Sequence, residues 1–358
     1  MSTIAARLFP SIAFLAAGCA SAFAQNLPPP STPPPAPTPS VVYRAVDPDA
    51  IHGYKTDPVV VRHMVNELVL AVTHQSDVAA AWRSLVSPKD KVGIKISAVG
   101  GELFTTHRDV VNAIVDGLVA AGQTRSRIIV WDRSLGGMKK AGYTGNEGYQ
   151  LQAIAPRDGY DPKATVSAPF LGKLIWGDFE FVGSKGESLI LSDETNTSSV
   201  SHIAKIVANE VTKIINVPVL CNSERNGIAG CLYNVTIPNI DNWRRFGGPP
   251  DFGASSIPDI YADPRIGGKV VINLMDGLLA EYAGGPESQP NYAFDFNTLY
   301  ASKDPVAIDS IALRQINDWR KKGRLPPIGR TGAQVPIADQ MGLGNARPSR
   351  IEVRNVGR

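Results

Sequence analysis

The stretch "KVGIKISAVGGELFTTHRDVVNAIVDGLVAAG", Lys91 to Gly122, decides the fold class. Its first part, Lys91 to Ser97, is a short apolar run of the kind that forms a strand buried on both faces. A glycine-bearing loop follows, and then apolar residues recur at helical spacing from Asp109 until Gly122 stops them. The same alternation continues along the chain. "RIIVWD" (Arg127 to Asp132), "KIINVPVL" (Lys213 to Leu220) and "KVVINLMDG" (Lys269 to Gly277) read as further buried strands. Val59 to His74, Val200 to Val211 and Pro305 to Trp319 read as helices, the last with Asp304 as its N-cap and Pro305 in its first turn. These elements predict an α/β fold, a mostly parallel sheet covered by helices on both faces, with a ligand cleft at the C-terminal ends of the strands.

The ends of the chain read differently. Arg7, an apolar stretch from Leu8 to Ala17 and the small residues closing at Ala22-Phe23-Ala24 form a secretory signal pattern over residues 1–24. Leu15-Ala16-Ala17-Gly18-Cys19 also resembles a bacterial lipobox, in which Cys19 is lipidated. Both readings export the protein, so a periplasmic or secreted location is expected, with membrane contact only through a lipid anchor on Cys19. Residues 25–40, containing "NLPPPSTPPPAPTPS", hold too many prolines for a helix or sheet and read as an extended linker. Residues 41–358 then form one large α/β domain. A hydrophobic content of 43% supplies an ample core without metal or disulfide, and a formal charge of +3 spread along the chain gives no nucleic-acid surface.

Ligands in such sheets gather beyond the strand ends, which selects the residues to weigh. Lys95 lies inside the first strand between Ile94 and Ile96, so it must be paired, snorkelling or lining a site. Thr105 or Thr106 is placed to cap the following helix, whose exposed N–H groups attract anions, and His107 at its start is either a surface residue or a proton carrier. Asp132 ends the second strand and either meets a metal or hydroxyl or pairs with Arg133. Asn222, Ser223, Glu224, Arg225 and Asn234 crowd the segment after the third strand, and the fourth ends in "MDGLLAEYAGGP", a constellation of Asp276, Glu281, Gly284 and Gly285. Asp304 and Asp309 flank the start of the last helix. A nucleophile elbow, a P-loop and the dinucleotide fingerprint are all missing from the sequence.

The blocks "VGIKISAVGGELFTTHRDVVNAIVDGLVAAG", "INVPVL", "NVTIPNI", "INLMDGLLAEYAGGP", "YASKDPVAIDS" and "QMGLGNARPSRIEV" together resemble the domain of unknown function 362 family, in order, from about Val92 to Val353. The resemblance implies a two-lobed α/β fold of bacterial or archaeal origin and no particular reaction. Some members add a ferredoxin-like module with iron-sulfur motifs, for which three scattered cysteines are too few, so no iron-sulfur cluster is expected. Lys95, Thr106, His107, Asp276, Gly285, Asp304 and Asp309 match the family pattern. Where members carry Lys-x-His after the third strand and then Lys-Asn, this chain has Cys221-Asn222-Ser223 and Tyr233-Asn234, so Asn234 alone carries over from that block.

In an oxidising compartment the thiols of Cys221 and Cys231 are expected to form a disulfide contributing about 3 kcal/mol, with a metal or redox pair and two free thiols as the other readings. Two functions fit the sequence. One is an exported enzyme acting on a small anionic substrate, with Lys95, His107 and Asp276 as catalytic groups, Thr105, Thr106, Asn234, Gly284 and Gly285 binding the ligand, and Asp276, Asp304 and Asp309 holding a divalent metal ion. The other is a non-catalytic ligand- or metal-binding protein whose lobes close on a small molecule.

Overall fold

Neighbouring residues along the central strands enter opposite apolar layers, as a sheet covered on both faces requires. The computed structural model describes residues 38–155, 158–167, 200–248 and 251–357. The expected signal segment, Cys19 and the expected linker as far as residue 37 lie outside them. The folded unit begins at Thr38, and Ser40, expected in the linker, already opens the first strand.

In chain order the first elements are β1 (Ser40–Val46), β2 (Ile51–His52), β3 (Lys55–Thr56), α1 (Pro58–Thr73), α2 (Val78–Leu85), β4 (Val92–Ile96) and α3 (Arg108–Ala120). Then come β5 (Ile129–Asp132), α4 (Leu135–Lys140), β6 (Gln150–Ala153), β7 (Tyr160–Ser167), β8 (Val200–Ala204), β9 (Lys213–Val217), β10 (Val219–Ser223) and β11 (Gly227–Ile228). The chain ends with α5 (Cys231–Thr236), α6 (Ser256–Tyr261), β12 (Val270–Glu281), β13 (Ala293–Ser302), α7 (Pro305–Lys322), α8 (Gln334–Gln340) and β14 (Ile351–Val356). The main sheet runs β14-β1-β13-β12-β9-β4-β5-β6. From β12 to β6 the strands are parallel, while β13 runs antiparallel to both β12 and β1.

Ile94, Ile96, Ile215, Val217, Ile272 and Leu274 face the layer of α1, α2 and α3, where Val65, Leu68, Trp82, Ile114 and Leu118 are buried. Trp131, Ile214, Met275 and Tyr300 face the layer of α5 to α8, with Leu232, Ile257, Ile308 and Val335. Each such side chain contributes about 1.5–3 kcal/mol by leaving water. Asp304 caps α7, its carboxylate accepting the Ala307 N–H at 2.9 Å, and Pro305 occupies the first turn as its sequence position implies.

Three expectations are corrected. Val200 to Val211 is not a regular helix; Val200–Ala204 is strand β8, paired with β7, because cross-strand pairing overrides a helical spacing this short. The third strand is broken at Pro218, which lacks an N–H to continue the ladder, into β9 and β10. The fourth strand does not end at Gly277 but runs to Glu281, pairing with β9 through its first half and β10 through its second. Asp276 therefore lies inside β12 at the seam between its two partners, its N–H donating to Pro218 O at 2.8 Å.

Candidate functional site

The loop from β4 into α3 is stitched to the sheet by its threonines. Thr105 Oγ1 donates to Ser97 O at 2.8 Å and Thr106 Oγ1 to Val217 O at 2.7 Å, while Thr106 Oγ1 also accepts the Ser97 N–H at 2.9 Å. Neither caps α3, contrary to expectation, because the helix starts later, with His107 at its N-cap position. In place of a side chain of its own turn, α3 receives a carboxylate from the sheet. Asp276 Oδ2 accepts the His107 backbone N–H at 2.7 Å and lies 2.8 Å from the His107 ring nitrogen Nδ1. Asp276 is fully buried and its Oδ1 accepts the Leu278 N–H at 3.1 Å, so the carboxylate is held from two sides. Such a clamp fixes ring orientation and leaves Nε2 as the exchanging nitrogen. Burial works against the charged imidazolium, but the adjoining Asp276 carboxylate prevails and raises His107 above its ordinary value.

His107 lines a cavity of about 650 Å³ together with Thr105, Arg108, Lys55, Lys139 and Lys140. Glu102 and Asp109 are its acidic members, and Asp109 is engaged by the Thr56 hydroxyl. Arg108 reaches across the rim to donate to Gly142 O at 2.9 Å. Lys139 and Lys140 of this wall stand in "SLGGMKKAGY" after β5, and no local signal in the sequence ties them to His107; only the sheet order brings α4 beside the start of α3.

Lys95 belongs to a second, fully buried constellation on the other face. Its Nζ donates to Asp132 Oδ1 at 2.7 Å, to Ile96 O at 2.5 Å and to Asn234 Oδ1 at 3.3 Å. Asp132 thus pairs with Lys95, and its Oδ2 accepts the Ala98 N–H at 2.7 Å. Burial pulls the Lys95 ammonium below its ordinary value against the attraction of Asp132, with nearby Arg133 adding to the fall. Asn234 Nδ2 donates to Asn216 Oδ1 at 2.9 Å, and Asn216 Nδ2 to Asn273 Oδ1 at 2.8 Å. Asn216 and Asn273, which pattern reading does not single out, extend this polar row across three adjacent strands. Asn234 is buried and turned to the row, away from the cavity.

The remaining candidates are dispersed. Asp304 binds the Ser40 hydroxyl at 2.5 Å and the Asn345 N–H at 2.8 Å as well as its own helix. Asp309 accepts the N–H groups of Cys231 at 2.6 Å and Leu232 at 2.9 Å, which caps α5 from a different helix. Among the described residues no group of three or more His, Cys, Asp or Glu is placed to hold a metal ion, so Asp276, Asp304 and Asp309 do not form one donor set. The N–H of Gly284 donates to Glu224 Oε1 at 2.9 Å and that of Gly285 to Asn222 Oδ1 at 3.0 Å, on a loop apart from the residues lining the cavity.

The expected disulfide is absent: Cys221 and Cys231 are free and buried. Cys221 projects from β10 into the layer of α1 to α3, whereas Cys231 begins α5 in the opposite layer, so the sheet lies between the thiols. Burial raises both thiols well above their ordinary value, Glu281 adding to this at Cys221 and Asp309 at Cys231.

Asp309 gives the domain a pH dependence. Burial outweighs its two N–H bonds and raises the carboxyl from 3.8 to about 7. A carboxyl that holds its proton in the folded state and loses it in the unfolded state destabilises the fold as pH rises from about 4 to 7, here by on the order of 4 kcal/mol. Urea unfolding at pH 5 and pH 8 is expected to show greater stability at the lower pH, with much of the difference gone in Asp309→Asn; equal slopes in the two proteins would sink this assignment.

No curated protein matches the chain. Among solved structures, a protein from Thermotoga maritima is similar, with 14% sequence identity and a TM-score of 0.40 over 77% of this chain. The chain spans 61% of that protein's length. Residues 92–314, from β4 into α7, match the family model of the domain of unknown function DUF362. The match takes in both faces of the sheet, the His107–Asp276 pair and the Lys95 row, and the chain belongs to the DUF362 family.

Proposed function

We propose that the protein is an exported enzyme acting on a small anionic substrate, bound in the cavity at the start of α3, with His107 as its proton-transfer group. The observation that carries this reading is the clamp of one carboxylate oxygen on both the ring and the backbone nitrogen of a histidine that lines a lysine- and arginine-rich cavity. Asp276 presents Nε2 to the substrate and stabilises the imidazolium formed when that nitrogen takes a proton. Lys55, Arg108, Lys139 and Lys140 neutralise the substrate's charge and that of an anionic transition state. General acid–base help of this kind is worth about 10²–10⁴-fold in rate.

The cavity, rather than the dispersed carboxylates, is the place to look for ligand. Small phosphorylated and carboxylated compounds are to be screened by thermal shift, and hits assayed for turnover with His107→Gln and with the Lys139→Ala/Lys140→Ala double variant. Loss of turnover with retained affinity in His107→Gln supports catalysis; a change in affinity alone supports the alternative, a periplasmic ligand-binding protein. Hits that bind the lysine double variant as tightly as the parent protein would move the ligand elsewhere.

The clamp can be read without a substrate. In an NMR titration of the ring protons, His107 is expected to titrate above 6.5 and to fall in Asp276→Asn, because the carboxylate that raises it is gone. An unchanged midpoint would remove Asp276 from the proton-transfer machinery.

A further inference from the structure

The end of β12 and the loop after it contain two buried oxygen atoms that nothing among the described residues satisfies. Glu281 is fully buried; its Oε2 accepts the Gln289 N–H at 2.8 Å, and its Oε1 is buried without a partner. The hydroxyl of Ser288, one residue before Gln289, is the second buried oxygen of this loop with no partner. Glu281 Oε1 is aimed at Gly285, and Asn222 contributes two more oxygens at the same spot. Asn222 O, Glu281 Oε1 and Asn222 Oδ1 lie 2.5, 2.8 and 2.9 Å from the point a side-chain carbon on Gly285 would occupy. A residue with a Cβ would close the space these acceptors share.

Glu281 Oε1 meets no donor and Asn222 Oδ1 takes only the Gly285 N–H at 3.0 Å, and buried acceptor oxygens that converge in this way repel one another unless a positive charge or proton stands among them. The surrounding charge favours a cation. Glu224 and Glu287 both add negative potential at Glu281. Glu224 is already fastened here, its Oε1 accepting from Asn222 Nδ2 at 2.7 Å and from Gly284 at 2.9 Å, and the Arg320 guanidinium approaches it only to 4.0 Å.

We propose that the Glu281–Asn222–Gly285 cradle binds a hard divalent cation of the calcium type, with Glu281 Oε1, Asn222 O, Asn222 Oδ1 and Ser288 Oγ as protein ligands. One carboxylate, amide and carbonyl oxygens and a hydroxyl are the donors such an ion takes, and water completes its six to eight ligands. This site lies outside the cavity of His107 and does not rest on its role. A cation here joins the β10 loop to the β12–β13 connection.

Terbium, which replaces calcium at oxygen sites, is the probe, since Tyr282 directly follows Glu281 and can sensitise its emission. With the full-length protein in metal-free buffer, tyrosine excitation is expected to give saturable terbium emission that calcium competes away. Millimolar calcium is expected to raise the melting temperature by about 5 °C or more. Glu281→Gln is expected to abolish the emission and the shift, and Ser288→Ala, which removes only a loop hydroxyl, to weaken terbium binding about tenfold. Binding unchanged in both variants marks surface attachment at Glu224 and Glu287 and overturns the proposal. Absence of terbium emission together with a calcium-insensitive melting temperature overturns it too and leaves a proton as the occupant.

Discussion

Replacing Lys95 by Met is expected to cost the domain about 3–5 kcal/mol, the range found when one partner of a buried ion pair is removed. Lys95 and Asp132 meet at 2.7 Å with side chains 0% and 5% exposed, so neither charge can turn to water when the other is lost. The methionine fills much of the volume, and the loss falls on electrostatics rather than on a cavity. Asp132 would keep the Ala98 N–H and nothing charged. Adding Asp132→Asn is expected to restore part of the stability, giving a coupling energy above about 1.5 kcal/mol in a double-mutant cycle followed by urea unfolding. A cost below about 1 kcal/mol for Lys95→Met would mean that water reaches the pair, and would return Lys95 to consideration as a ligand-facing residue.

Gly230→Ala is expected to be as damaging for a steric reason. The added methyl would stand 2.1 Å from Asp309 Oδ1, the oxygen that accepts the Cys231 N–H. Gly230 has φ −83°, a value open to any residue, so the glycine is needed for close approach and not for its backbone freedom. The methyl drives the carboxylate off the start of α5 and leaves two buried N–H groups unpaired, each worth about 1–3 kcal/mol. We expect a loss of at least about 3 kcal/mol, or failure to fold. Asp309→Ala removes the same bonds without the clash, so the double variant should be little worse than Asp309→Ala alone. Additive losses would show that Asp309 is not what Gly230 accommodates.

The central architecture was legible because β4, β5, β9 and the first half of β12 are buried on both faces and therefore read as unbroken apolar runs. The helices α1, α3 and α7 carried caps, glycine stops or clear spacing. The antiparallel side was not legible. β1, β13 and β14 meet across more than two hundred residues of chain, and their pairing leaves no local mark. At the candidate site, Lys95 announced itself as a charge inside an apolar strand and Asp276 as a carboxylate at the end of one. That His107 would meet Asp276 depended on β9 and β12 being neighbours, with Thr106 tying the loop to the end of β9, which spacing cannot reveal. The cysteines misled for the same reason: a short loop separates them in sequence, and a sheet separates them in space.

The polar row has a consequence for how the sheet assembles. Lys95, Asn216, Asn273 and Ser302 occupy one register line across β4, β9, β12 and β13, facing α5 and α7, and Ser302 passes the chain on to Val41 O at 2.7 Å. Apolar strands alone would tolerate sliding, since Ile214, Ile215 and Val217 present similar surfaces at every step. Slipping β9 by one residue would swing Asn216 into the apolar layer under α1 and α3 and strand the amides of Asn234 and Asn273 without partners. The row thus acts as a key that admits a single alignment of the four strands.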